Sequence, residues 1–264
     1  MTKDMLTRRT FLGAAAGASM LALAACGGSN NGGGDAPAAA AGDGTDPKGD
    51  GVMTYADYMA AAVDDEVVVE CFVQDTQSWW EDQITIYAAD ADGAYFIYNA
   101  ACSEEDSAKL VPGQKIKVSG YKAEWSGEFE ITEGTIEFED GSTFISEPVD
   151  VTDLLGTDEL IDHQNQRVSF TGMTVEPSID PDGKEVAYLF NWDGSGAAGD
   201  DLYFNVSKDG ETYSFTVESY LTGEDTDVYK AVQALEIGQV VNMTGYLYWY
   251  EGANPHIISV EVAE

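Results

Sequence analysis

Leu110-Val111-Pro112-Gly113-Gln114-Lys115-Ile116-Lys117-Val118-Ser119-Gly120-Tyr121 returns 125 residues later as Leu235-Glu236-Ile237-Gly238-Gln239-Val240-Val241-Asn242-Met243-Thr244-Gly245-Tyr246. Leu, Gly, Gln, Gly and Tyr match without a gap. The register runs on through Trp125 against Tyr250 and Gly127 against Gly252. Self-similarity at a fixed offset marks an internal repeat, so two copies of one module are expected.

Working outward from the first copy, Tyr55 to Ala62 reads as a short helix and Val67 to Val73 as a Val-rich strand. Ile84 to Ala88 and Ala94 to Tyr98 follow as strands joined by the turn Asp90-Ala91-Asp92-Gly93. Ser103 with Glu104, Glu105 and Asp106 is a helix start, because a serine cap precedes acids that suit the helix dipole. Pro112-Gly113 ends that helix. Ile116 and Val118, then Phe129 and Ile131, alternate with polar residues across a Gly127 turn, which predicts two more strands. The second copy reads as Val168 to Val175, Val186 to Trp192, and Leu202 to Val206 continuing to Tyr213 to Tyr220. A helix then carries Val228, Ala231, Val232 and Leu235 on one stripe, followed by Val240 to Tyr248 and Ile257 to Val262. About 25 extra residues fall between Pro177 and Thr222, and the boundary between copies lies near Ser146-Glu147-Pro148.

Five strands with a helix between the third and fourth resemble an OB-fold, a small Greek-key barrel. The chain is mainly β, with one such barrel in 52–147 and another in 148–264. The resemblance is to bacterial extracytoplasmic OB-fold lipoproteins. It implies binding on strands two and three and on the loops after strands one and four, and it names no ligand.

The first 25 residues pair a charged start (Lys3, Arg8, Arg9) with an apolar run from Phe11 to Ala25, the pattern of a signal peptide. Fifteen residues fall short of the roughly 20 that span a bilayer. Thr7-Arg8-Arg9-Thr10-Phe11-Leu12 resembles a twin-arginine (Tat) export signal, with Sec export as the alternative. Leu23-Ala24-Ala25-Cys26 resembles a lipobox, which implies a lipidated Cys26 and a chain held on the extracytoplasmic face of the cell membrane. Residues 26–51, rich in Gly, Ala and Asp, read as a tether.

Composition narrows the function. With 12 Lys+Arg against 48 Asp+Glu the net charge is −36, and Arg167 is the only arginine after the signal. Phosphate backbones need basic partners, so nucleic acid is not expected as a partner, and a thermonuclease-like site, which uses arginines, is excluded. His163 and His256 form no motif, and no nucleophile elbow, phosphate loop or zinc spacing is present, so neither catalysis nor a cofactor is expected. The turns Asp90–Gly93 and Asp180–Glu185 fall short of an EF-hand, and no metal site is expected.

Aromatic turns are the sharper signal. Trp79 and Trp80 lie between strands one and two, and Trp125 lies at the turn after strand four. Tyr248, Trp249 and Tyr250 occupy the matching turn of the second copy. These six are the expected ligand contacts, for a glycan or another uncharged extracellular ligand. The competing reading makes them caps on the barrels. An envelope scaffold that binds another protein is the alternative function, and nucleic-acid binding is the third. Cys71 and Cys102 are the pair available for a disulfide in an oxidising compartment, against which stands the frequent burial of a strand thiol.

Lipidation gives the first test. Cys26→Ser should release the protein from the membrane pellet, and the double change Arg8→Lys with Arg9→Lys should block export only on the twin-arginine route.

Overall fold

In the computed structural model, residues 48–263 are described, and the Arg8-Arg9 and Cys26 expectations lie outside them. Helix α1 (Tyr55–Ala60) precedes strands β1 (Glu66–Thr76), β2 (Gln83–Ala89) and β3 (Ala94–Ala101). Helix α2 (Glu104–Ser107), β4 (Lys115–Trp125) and β5 (Glu128–Phe138) complete the first copy. The second has β6 (Val149–Asp150), two 3-10 turns (Thr152–Leu154 and Asp158–His163), β7 (Arg167–Glu176), β8 (Ser178–Ile179), β9 (Glu185–Val186) and β10 (Leu189–Phe190). It continues with β11 (Leu202–Lys208), β12 (Glu211–Val217), α3 (Asp227–Gln233), β13 (Val240–Tyr246) and β14 (His256–Val262).

Strands β1-β2-β3-β5-β4 close into a barrel, with β3 and β5 parallel. Strands β7, β11, β12, β14 and β13 form the same ring, closed by the β11–β7 pairing and again with one parallel pair, β12 with β14. The protein is therefore mainly β, with two tandem OB-fold-like barrels and a helix between the third and fourth strand of each.

One assignment differs. Leu202–Tyr220 is two strands, because Asp209 (φ 54°) and Gly210 (φ 89°) make the tight Asp-Gly hairpin turn between β11 and β12. The apolar run Val186–Trp192 is then not a barrel strand. It belongs to an insertion between β7 and β11 that holds β8, β9 and the edge strand β10.

The repeated Gly-Tyr has a packing cause. A Cβ on Gly120 would lie 2.6 Å from the Thr132 carbonyl oxygen, and one on Gly245 2.5 Å from the His256 carbonyl oxygen. Both glycines sit at register shifts where β4 crosses β5 and β13 crosses β14, so each barrel needs a residue without a side chain where its strands bend.

Barrel one also encloses charge. Lys122, 2% exposed, donates to the carbonyls of Tyr58, Met59 and Ala61 at 2.8–3.0 Å, capping α1 with a cation where the helix dipole is negative. Its ammonium lies 4.6 Å from the centroid of the Phe129 ring. The Asp90 turn is likewise internal: Asp90 accepts from Lys48 Nζ at 2.9 Å, from the Tyr95 hydroxyl, and from the amides of Asp92 and Gly93.

Of the two readings the sequence leaves open for Cys71 and Cys102, a disulfide or buried thiols, the structure has both as free, buried thiols. Cys71 is sealed in the core of barrel one, where burial pushes its thiol up, and the Cys102 thiol donates to the Ser103 carbonyl at 3.4 Å.

Overpacking at the two glycines should be measurable. Gly120→Ala and Gly245→Ala are each expected to destabilise the protein by about 1–3 kcal/mol, read as a fall in urea midpoint. Gly210→Ala, where a Cβ meets nothing within 4 Å but φ is positive, should cost about 1 kcal/mol.

Candidate ligand-binding face

In barrel one, the outward face of strands two and three is already occupied. Tyr87 of β2 and Phe96 of β3 point away from their own core and pack with Tyr246 and Tyr248 of barrel two in a separate buried cluster. Tyr87 stacks on Tyr246 with centroids 4.6 Å apart, and Phe96 meets Tyr248 edge-on at 5.2 Å. His256 stacks on Tyr248 at 4.5 Å, and its Nδ1 lies 2.6 Å from the Tyr87 hydroxyl. Such ring pairs contribute about 0.5–1.5 kcal/mol each beyond their burial.

Polar contacts flank this seam. Gln164 Nε2 donates to Gly127 O at 2.7 Å while its Oε1 accepts from Phe129 N, and Asn165 Nδ2 donates to Phe129 O. The fully buried Glu128 carboxylate accepts from Trp249 N at 2.8 Å, and Glu251 N donates to Ser126 O. Arg167 Nη1 donates to Ser146 O.

The six aromatics therefore divide. Tyr248 is buried in the seam at 6% exposed, which removes it from the expected ligand contacts. Trp249 is half-buried, its indole lying where a Cβ on Gly127 would come within 2.8 Å. Trp79 is half-buried and donates to Cys102 O at 2.9 Å. Trp125 is half-buried at the end of β4, opposite Glu128. Trp80, 53% exposed, and Tyr250, 50% exposed, keep open rings. His163 is half-buried against Gln166, 2.9 Å away, and His256 belongs to the seam.

The equivalent face of barrel two is open. The register puts Asn205 and Ser214 where barrel one has Tyr87 and Phe96: Tyr87 pairs with Phe96, and Asn205 with Ser214, at matching steps of each barrel. Three cross-strand pairs lie on the outward side, Tyr203–Thr216, Asn205–Ser214 and Ser207–Thr212; Thr212 and Ser214 are exposed, Tyr203, Asn205 and Ser207 half-buried, and Thr216 buried. Their inward neighbours, Leu202, Phe204, Val206, Phe215 and Val217, are fully buried. None of the six outward residues is charged, on a chain of net charge −36.

Several donors on this face are already engaged. Asn205 Nδ2 donates to Pro177 O and Ser178 Oγ, Ser207 Oγ to Glu176 Oε1 at 2.6 Å, and Thr216 Oγ1 to Asn254 Oδ1 at 2.8 Å. What remains beside the half-buried Tyr203 ring is the Asn205 amide oxygen with the exposed Ser214 and Thr212 hydroxyls, which can donate or accept. No six-residue motif announces this face in the sequence. The alternation Tyr203-Asn205-Ser207 was its only signal, hidden once β11 and β12 are read as a single strand.

At the Tyr203 end of the face lie Asp201 and Glu218. Asp201 Oδ1 accepts from Ser219 N and Oγ, and Glu218 Oε2 accepts from Leu221 N at 2.9 Å. Burial, with repulsion from Asp201, pushes the Glu218 carboxyl up to about 8. Among the described residues no cluster of three or more His, Cys, Asp or Glu is arranged to hold a metal ion, and no helix is long and apolar enough to cross a membrane.

No family model and no curated protein matches the chain. Solved structures do. A murine DNA-binding protein solved with double-stranded DNA covers 75% of this chain over 96% of its own, at 13% identity and TM-score 0.37. The p204 HINb domain covers 77% over 100% of its length, at 13% identity and TM-score 0.35. A replication protein A heterotrimer bound to single-stranded DNA matches 75% of this chain over 49% of its own, at 11% identity and TM-score 0.31. Two of these three were solved with DNA, so the expectation that nucleic acid is no partner is corrected. It rested on net charge alone, and net charge does not describe a local face.

Two predictions follow from the seam and its flank. Tyr248→Ala should cost about 3–5 kcal/mol, as truncation of a buried aromatic does, whereas Trp80→Ala should change stability by about 0.5 kcal/mol or less; chemical denaturation separates them. Because the Glu218 carboxyl is raised on folding from its ordinary value of 4.5 to about 8, the folded chain holds a proton that the unfolded chain releases. That residue's contribution therefore weakens as pH rises between those values. Glu218→Gln should leave the melting temperature unchanged at low pH and raise it above wild type at and beyond pH 8, with the two curves diverging in between.

Proposed function

We propose that the chain is an extracytoplasmic, lipid-anchored, non-catalytic binding protein whose ligand lies on the β11–β12 face of barrel two. The observation that carries this reading is the asymmetry of the two barrels. The face that the partner barrel fills in one copy carries six polar or aromatic residues without a charge in the other, with Thr212 and Ser214 exposed. Support for the anchor comes from the sequence around Cys26, and support for export from Lys3, Arg8, Arg9 and the apolar run that follows.

The ligand class this face suits best is an uncharged glycan. The Asn205 amide oxygen and the exposed Ser214 and Thr212 hydroxyls offer accepting and donating positions that sugar hydroxyls, themselves both donors and acceptors, can satisfy, and the flat Tyr203 ring accommodates a sugar face. OB-fold barrels also take single-stranded nucleic acids through stacking platforms, and the DNA complexes among the similar folds make that class a direct comparison.

Isothermal titration of the full chain with laminarihexaose, chitohexaose, cellohexaose and a (dT)20 oligonucleotide tests the reading. Saturable binding of at least one glycan, insensitive to salt and abolished by Ser214→Arg, is expected. Binding of (dT)20 that weakens steeply with salt and no glycan signal would contradict it. So would co-purification of a stoichiometric protein partner whose binding Ser214→Arg abolishes.

A further inference from the structure

Repeat two contains a segment, residues 177–201, that repeat one lacks, and this segment adds little to the barrel wall. It is nevertheless heavily braced. Asp180 Oδ1 accepts from the amides of Asp182 and Lys184, tying off the β8–β9 hairpin. That hairpin packs on the next turn: a Cβ on Gly194 would come within 2.8 Å of Pro181 Cδ. Gly194, with φ 74°, could not carry a side chain there without strain.

The turn itself is fixed at both ends. Asn191 N donates to Asp201 O, Gly196 N to Phe190 O and Ser195 N to Asp193 Oδ1. From helix α3, the buried Tyr229 hydroxyl donates to Asp200 O at 2.7 Å and accepts from Gly199 N at 3.0 Å. Phe190 and Tyr188 root the segment in the barrel-two core. At its tip stands Trp192, 75% exposed, the most exposed large apolar residue among those described.

Its position is set by the sheet. Strand β10 pairs with the start of β11, Leu189 opposite Tyr203 and Phe190 opposite Leu202. Trp192 follows β10 by two residues, at the Tyr203 end of the open face. An isolated exposed aromatic on a surface is ordinary. Here a dedicated, rigidly tied insertion exists only on the barrel whose face is open, and holds an indole outside the core at the edge of that face.

We infer that residues 177–201 are a gripping arm for the ligand of barrel two, with Trp192 stacking on a sugar ring of an uncharged glycan held across Tyr203, Asn205 and Ser214. The inference rests on the proposed function and adds to it the residue that sets affinity. A pre-tied aromatic loses little freedom on binding, and a rigid ring is an efficient contact for that reason.

The test uses the full chain and the same three hexasaccharides. Trp192→Ala should weaken the binding glycan by about ten-fold or more, the range that one stacked ring gives, and leave the melting temperature unchanged because the ring is outside the core. Tyr121→Ala, which also removes an exposed ring (45% exposed) but from barrel one, should leave affinity unchanged. Bound glycan should protect one tryptophan from iodide quenching in the wild type and none in Trp192→Ala. If Trp192→Ala binds as wild type while Ser214→Arg does not bind, the arm is refuted and the face stands. If neither change alters glycan binding, the face is refuted as well, and if none of the three glycans binds the wild type, both fall.

Discussion

The stacking of Tyr87 on Tyr246, locked by His256 between the Tyr87 hydroxyl and the Tyr248 ring, is the contact on which the rest of the structure depends. It lies on the outward face of β2 and β3, a face that an isolated barrel would show to water. Burying four aromatic rings there makes the two barrels a single packed body. The buried Gln164, Asn165 and Glu128 then satisfy backbone groups that the docking takes away from solvent.

The two copies have diverged around that contact. Barrel one has aromatic residues at Tyr87 and Phe96 and uses them to receive its partner, while barrel two has Asn205 and Ser214 at the matching steps and remains open. Lys122 in β4 and Leu247 after β13 occupy matching positions of the repeat, both buried. The lysine is tolerated because three carbonyls at the end of α1 satisfy its three protons. One copy thus uses this face for docking, and the other does not.

Much of this was legible in the sequence. The repeated Leu-x-x-Gly-Gln block and its Gly-Tyr located both barrels, since backbone crossings that exclude a Cβ leave a fixed glycine in the text. The stripe of Val228, Val232 and Leu235 marked α3. The hairpin at Asp209-Gly210 was missed because apolar residues run through β11 and β12 on alternate positions, and the strands read as one. The site was harder. A turn aromatic that binds and one that seals a seam have the same spelling, and Tyr248 was assigned to the ligand although it faces Phe96 from more than 150 positions away in sequence. Trp192 went unnoticed because nothing local shows that it lies outside the core.

The central claim is that the barrels are fused through the face that one of them would otherwise use for binding. Differential scanning calorimetry of the full chain, beside His256→Ala and Tyr87→Ala, tests this most directly. One cooperative transition with matching calorimetric and van't Hoff enthalpies is expected for the wild type, splitting into two in the variants as the barrels uncouple. Two independent transitions in the wild type, unmoved by either substitution, would contradict the account.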